Sequence, residues 1–289
     1  MKKIKCFQLN TKTKKNSKKL KKQIGVTLIE LMVGISIGLL TVMVALAALM
    51  TSRSITGTVS EASTLQQQAA YAFRVIGQQI RQAGSVELNL AFNKNPGDTI
   101  DILDKVAFIP NENRSNVAIK GNESPGASEF SLELSYQNYS ENLVKGSGYL
   151  FQDCLGKIAT ASDSLIEGKF VFDATKGELH CKSQSNTKKQ AIIENVTDLQ
   201  FSYLVQDKIS TPGYPTIQKL KASEIAENKW DTVFGIEVCL ELSGKENIDT
   251  TGTQYTNCKG ETKSRSNKLR MVFRNTFQIR SQGSPSVPA

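Results

Sequence analysis

VTLIELMVGISIGLLTVMVALAALM, residues 26–50, runs without a proline into TSRSITGTVSEASTLQQQAAYAFRVIGQQIRQAG, residues 51–84, and this stretch decides the architecture. The first part holds a single charge, Glu30. At about 1.5 Å per residue it makes a helix roughly 37 Å long, enough to cross a bilayer. After Arg53 the composition turns polar while the helical period persists. Ile55, Val59, Ala62, Leu65, Ala69, Phe73, Ile76 and Ile80 recur at steps of three or four and predict one apolar stripe. Gly84 supplies a C-terminal stop. One helix of about 59 residues, near 88 Å, is therefore expected over residues 26–84, in lipid over 26–50 and resting on another layer beyond.

Upstream, residues 1–25 contain ten lysines and no acid. Setting them aside takes the formal charge of +9 to −1, so the pI near 9.2 describes a leader and gives no sign of a nucleic-acid-binding body. Lysines ahead of the apolar run keep 1–25 cytoplasmic and send the rest outward. Three readings compete: a secretory signal cut after Ala45-Leu46-Ala47, an unprocessed anchor, and a leader removed before the apolar run. Glu30 discriminates among them. A carboxylate costs about 2.5–3.5 kcal/mol at mid-bilayer and less near the interface, and neither of the first two arrangements gains from carrying it.

Gly25-Val26-Thr27-Leu28-Ile29-Glu30-Leu31-Met32-Val33 resembles the type IV prepilin cleavage and methylation motif, a glycine and an apolar residue before T-L-I-E. The resemblance implies that prepilin peptidase cuts after Gly25 and that Val26 is N-methylated, with Val standing where the family usually has Phe. It also implies that the Glu30 carboxylate meets the amino terminus of a neighbouring subunit during assembly. At 4 Å such a pair attracts by about 4 kcal/mol at an effective dielectric of 20, before desolvation. Gly34 and Gly38 form a small-x-x-x-small pair suited to close helix packing.

Residues 85–280 read as antiparallel sheet. Phe130, Leu132, Leu134 and Tyr136 alternate with polar residues, as do Leu199, Phe201, Tyr203 and Val205, then Phe234, Ile236, Val238, Leu240 and Leu242, then Leu269, Met271 and Phe273. Shorter strands are expected at 106–109, 116–120, 149–152, 169–173 and 178–182. The fold class is α+β, a long N-terminal helix packed on a β-rich domain. Residues 207–232 read as a long loop and 281–289 as a flexible tail. Cys6 lies in the leader; Cys154, Cys181, Cys239 and Cys258 lie in the exported body, where oxidation favours two disulfides. The pairs 154–181 and 239–258 each close a local loop, worth around 3 kcal/mol apiece by chain entropy. A zinc site is disfavoured, since no C-x-x-C occurs and His180 is the sole histidine.

The resemblance extends to PilW-type minor pilins and, more loosely, to J-type pseudopilins of type II secretion. It is carried by Ala72–Gly84 (AFRVIGQQIRQAG), Asp153-Cys154-Leu155-Gly156, Gly177-Glu178-Leu179-His180-Cys181, Ile193–Tyr203 (IENVTDLQFSY), Trp230 and Leu269–Arg280 (LRMVFRNTFQIR). It implies a subunit that primes pilus assembly at or near the tip, a fibre serving adhesion and twitching motility, and no enzyme. The implied partners are other minor pilins, the major pilin, the inner-membrane assembly platform, prepilin peptidase and a tip adhesin. The implied location is the inner membrane with a periplasmic domain, then the surface pilus. No catalytic motif, cofactor site or metal site is read from the residues. Asp98, Asp101 and Asp104 lack the glycine and glutamate of a calcium loop. Arg270, Arg274 and Arg280 would form one basic strand face, for which solvation is a simpler account than contact with nucleic acid.

Overall fold

The computed structural model describes residues 25–89, 98–99, 107–109, 118–126, 128–143, 146–160, 165–184, 188–207, 216–248 and 250–279. They belong to two compact units that divide between Ser54 and Ile55.

In the first unit the helix α1, which spans Leu28–Gln82, begins. Its start is fixed by Thr27. The Thr27 hydroxyl accepts the Glu30 N–H at 3.3 Å, and the Glu30 carboxylate takes the Thr27 N–H at 2.9 Å and the Thr27 O–H at 2.8 Å. This is a capping box, which satisfies the amide donors that a helix start leaves without intrahelical partners. Every residue from Gly25 to Arg53 is exposed. The hydroxyls of Ser36, Thr41 and Thr51 donate back to the carbonyls of Met32, Gly38 and Ala47 at 2.8, 2.8 and 3.1 Å. The segment thus satisfies its own polar groups, as a helix surrounded by hydrocarbon must.

In the second unit the remainder of α1 is joined by sheet. The strands are β1 (Glu87–Asn89), β2 (Ala107–Ile109), β3 (Ile119–Gly121), β4 (Leu132–Gln137), β5 (Glu141–Leu143), β6 (Gly146–Gly148), β7 (Leu165–Asp173) and β8 (Glu178–Ser183). They continue with β9 (Gln190–Glu194), β10 (Val196–Asp207), β11 (Thr216–Leu220), β12 (Val233–Asn247), β13 (Gln254–Thr256), β14 (Thr262–Ser264) and β15 (Lys268–Gln278). Among the described residues these make a five-stranded sheet in the order β3-β4-β7-β8-β9 and a four-stranded sheet in the order β11-β10-β12-β15, all antiparallel, beside short hairpins. The chain passes from one large sheet to the other at Asn195, whose φ of 66° is a left-handed conformation that asparagine tolerates better than most residues.

A single apolar core joins α1 to both sheets, with Leu65, Ala69, Ala72, Ile76 and Ile80 meeting Leu134, Phe170, Leu179, Tyr203, Ile236 and Leu240. Two expectations are corrected here. The buried stripe of α1 starts at Leu65 and is centred on Ala72, leaving Ile55 and Val59 at 61% and 63% exposure and Phe73 only partly buried. At about 100° per residue, position 72 falls back in line with position 65, whereas 73 drifts well to the side. Of the expected loop 207–232, residues 208–215 lie outside the described residues, and the rest is not structureless. It contains β11 and two short 3-10 helices, Ala222–Glu224 and Glu227–Thr232. Trp230 anchors this segment by standing edge-on to Tyr203 at 5.0 Å between ring centres. At 149–152, Gln152 makes only an isolated bridge to Ile158.

Close approach of helix to sheet requires Gly77, because a Cβ there would collide with the Phe277 ring of β15. Gly84 ends the helical run with φ 73°, and its N–H donates to the Ser135 carbonyl of β4 at 2.8 Å.

Candidate functional site

The residues of the Gly25–Glu30 stretch, which resembles a prepilin motif, lie at the start of α1. Val26 is 74% exposed. Among the described residues Glu30 is engaged by Thr27, a use of the carboxylate that the sequence reading missed although the T-x-x-E spacing ahead of an apolar run was legible. Gly34 and Gly38 stand one turn apart, and a Cβ added at either would meet nothing within 4 Å.

In the second unit the structure joins Cys154 to Cys181 and Cys239 to Cys258, with Cα separations of 6.4 and 5.6 Å. Cys154 sits in a tight turn in which the Asp153 carboxylate accepts the N–H groups of Leu155 and Lys157, each at 2.9 Å. Cys181 is buried on β8. Cys239 is buried on β12 and holds Cys258, which lies between β13 and β14, against that strand.

The basic strand face is put to internal use. Arg270 pairs with the buried Glu241 at 3.1 Å, and Arg274 donates to the Asn257 carbonyl at 2.7 Å. Arg280 lies outside the described residues, as do Cys6, Asp101, Asp104 and the 281–289 tail. Glu241 also accepts the hydroxyls of Thr197 at 3.0 Å and Tyr255 at 2.8 Å. Burial, and then the bond to Glu241, push the Tyr255 phenol above its ordinary range. Arg265 donates to the Arg270 carbonyl at 2.6 Å and lies over the Tyr255 ring. These cations and Cys258 pin the excursion between β12 and β15 onto the outer side of the sheet.

His180 is buried, with Nε2 2.7 Å from the Glu178 carboxylate. Among the described residues no group of three or more His, Cys, Asp or Glu side chains is arranged to hold a metal ion. Two further polar knots were not read from the sequence. Gln79, fully buried on α1, donates to the Gln152 carbonyl at 3.0 Å and accepts the Tyr136 hydroxyl at 3.2 Å. Glu61 accepts the backbone N–H groups of Lys245 and Glu246 at the end of β12.

One long N-terminal helix with antiparallel sheets is a pilin-like α+β arrangement. Residues 161–281, which contain β7 to β15, match the family model described as PilW: Type IV Pilus-assembly protein W. The match supports a type IV pilus-related protein involved in pilus assembly, with partners inside that system. Together with the apolar helix it fits a membrane-anchored protein. Comparisons with curated proteins and with solved structures returned no significant match.

Proposed function

We propose that this chain is a minor pilin that primes type IV pilus assembly and sits at or near the tip. The observation that carries the reading is the Gly25–Glu30 motif at the head of an exposed apolar helix, in a chain whose sheet region matches a pilus-assembly family. Prepilin peptidase removes residues 1–25 and Val26 is methylated. The Glu30 carboxylate, prearranged by Thr27 next to the new terminus, is offered to a neighbouring subunit's ammonium group. Gly34 and Gly38 let a neighbouring helix approach. The anchored form lies in the inner membrane with its sheets in the periplasm, and it joins other minor pilins, the major pilin, the assembly platform and a tip adhesin.

Mass spectrometry of sheared surface fibres tests this. A mature chain beginning at N-methyl-Val26 is expected in fibres of the intact strain. A mature chain that begins elsewhere, or its absence from those fibres, overturns the proposal. Glu30→Ala is expected to insert normally and to lose incorporation into fibres; unchanged incorporation removes the role given to the carboxylate.

A further inference from the structure

A trough runs beside α1 within the second unit. One part, about 450 Å³, lies between Gln67, Gln68 and Tyr71 of α1 and the strand β9. The next part, about 340 Å³, continues past Gln68 and Glu194 to Gly57, Glu61 and the end of β12. From Gly57 to Tyr71 the helix advances roughly 21 Å, the length of about six extended residues.

Three properties of this trough point the same way. First, among the described residues β9 is the last strand of its sheet, so one row of its backbone N–H and C=O groups has no described strand opposite. Unpaired edges of this kind are templates for an added strand. Second, the charged lining residues are Glu61, Glu178, Glu194 and Glu246 against Lys245 alone. Lys245 pairs with Glu194 at 3.0 Å and Glu178 touches His180, which leaves the lining acidic. Third, among the described residues the buried polar atoms there that lack a partner are both acceptors, Glu61 Oε2 and Gln68 Oε1. Both call for donors.

We propose that this trough receives an extended, lysine- or arginine-bearing segment of a partner protein, which adds to β9 as a strand and brings its cations to Glu61, Glu194 and Glu246. The backbone ladder supplies affinity and the carboxylates supply sign selectivity. The proposal deepens the pilus reading by naming the chemistry of one partner contact, but the groove does not depend on processing at Gly25, so the two fail separately.

The test uses the full chain in detergent micelles and a fluorescent hexapeptide of alternating valine and lysine, with alternating valine and glutamate as its counterpart. Saturable binding of the lysine peptide is expected, weakening as salt rises through roughly 0.1 to 1 M. Slowed amide exchange is expected at Ala191–Glu194. The double variant Glu194→Lys with Glu246→Lys should bind about tenfold or more weakly. Should that variant unfold, Glu246→Lys alone, at an exposed position, carries the comparison. Equal binding of the glutamate peptide, no saturable binding of the lysine peptide, or protection confined to other strands overturns the proposal. Protection of Ala191–Glu194 that grows with protein concentration and no peptide also overturns it, by making a second copy the occupant.

Discussion

Replacing Glu241 with alanine removes the acceptor on which Thr197, Tyr255 and Arg270 converge. Glu241 is 4% exposed, so water cannot take its place without rearrangement. Losing one partner of a fully buried ion pair costs about 3–5 kcal/mol, most of it from the charge left behind. The Arg270 side chain is 24% exposed and retains some access to solvent, which places the expected loss at the lower end, about 3 kcal/mol. For a domain of roughly 200 residues this lowers the thermal midpoint by about 6–12 °C. The assay is circular dichroism of the full chain in detergent, melted beside Arg270→Met and beside the double variant Glu241→Leu with Arg270→Met. If the pair acts as described, the double variant is less destabilised than the sum of the singles, because it leaves no orphaned charge. A midpoint within about 2 °C of the parent for Glu241→Ala, or strict additivity in the double variant, would refute the reasoning.

Gly77→Ala should destabilise by about 1–3 kcal/mol through collision with Phe277, and Phe277→Leu in the same background should recover part of the loss in denaturant melts. Tyr136 and Tyr203 are buried and their phenols are pushed well above the ordinary value, burial being the main cause. A raised folded value stabilises the fold below the unfolded phenol value near 10, and that contribution drains away as pH climbs above it. Absorbance titration at alkaline pH should therefore show these two tyrosines ionising only with unfolding, and Tyr203→Phe should lessen the alkaline loss of stability. Cys239→Ser should lower stability by around 3 kcal/mol and open trypsin sites at Lys259 and Lys263, read by digestion and mass spectrometry.

Much of the fold was legible because its signals are periodic. Alternation at Leu199–Val205 and Ile236–Leu242 fixed which side of β10 and β12 faces inward, and the register of that pair agrees; at the start of β12 a register shift buries Val233 in place of the expected Phe234. The helix was legible from its apolar run, but the placement of its stripe was not. Ile55 and Val59 repeat with the right period and still face solvent, since periodicity marks a side of a helix and says nothing about how far the opposing layer extends. Segment 216–232 was misread because Trp230 and Ile225 are isolated apolar residues without a period, and Trp230 is buried against Tyr203 of another strand. The basic residues near the C-terminus were counted correctly and understood incompletely. A sequence reveals charges, while Arg270 finds its partner in Glu241 of the neighbouring strand β12 and Arg274 finds its partner in Asn257 of the folded excursion.

Neither cystine links one large sheet to the other. The first closes around β7 and β8, and the second closes between β12 and the hairpin that follows it. Oxidation can therefore proceed separately in each half, in either order, without locking the halves into a wrong mutual docking. Their union is left to helix α1 and the apolar seam, so a subunit caught before that union would already carry both of its permanent cross-links.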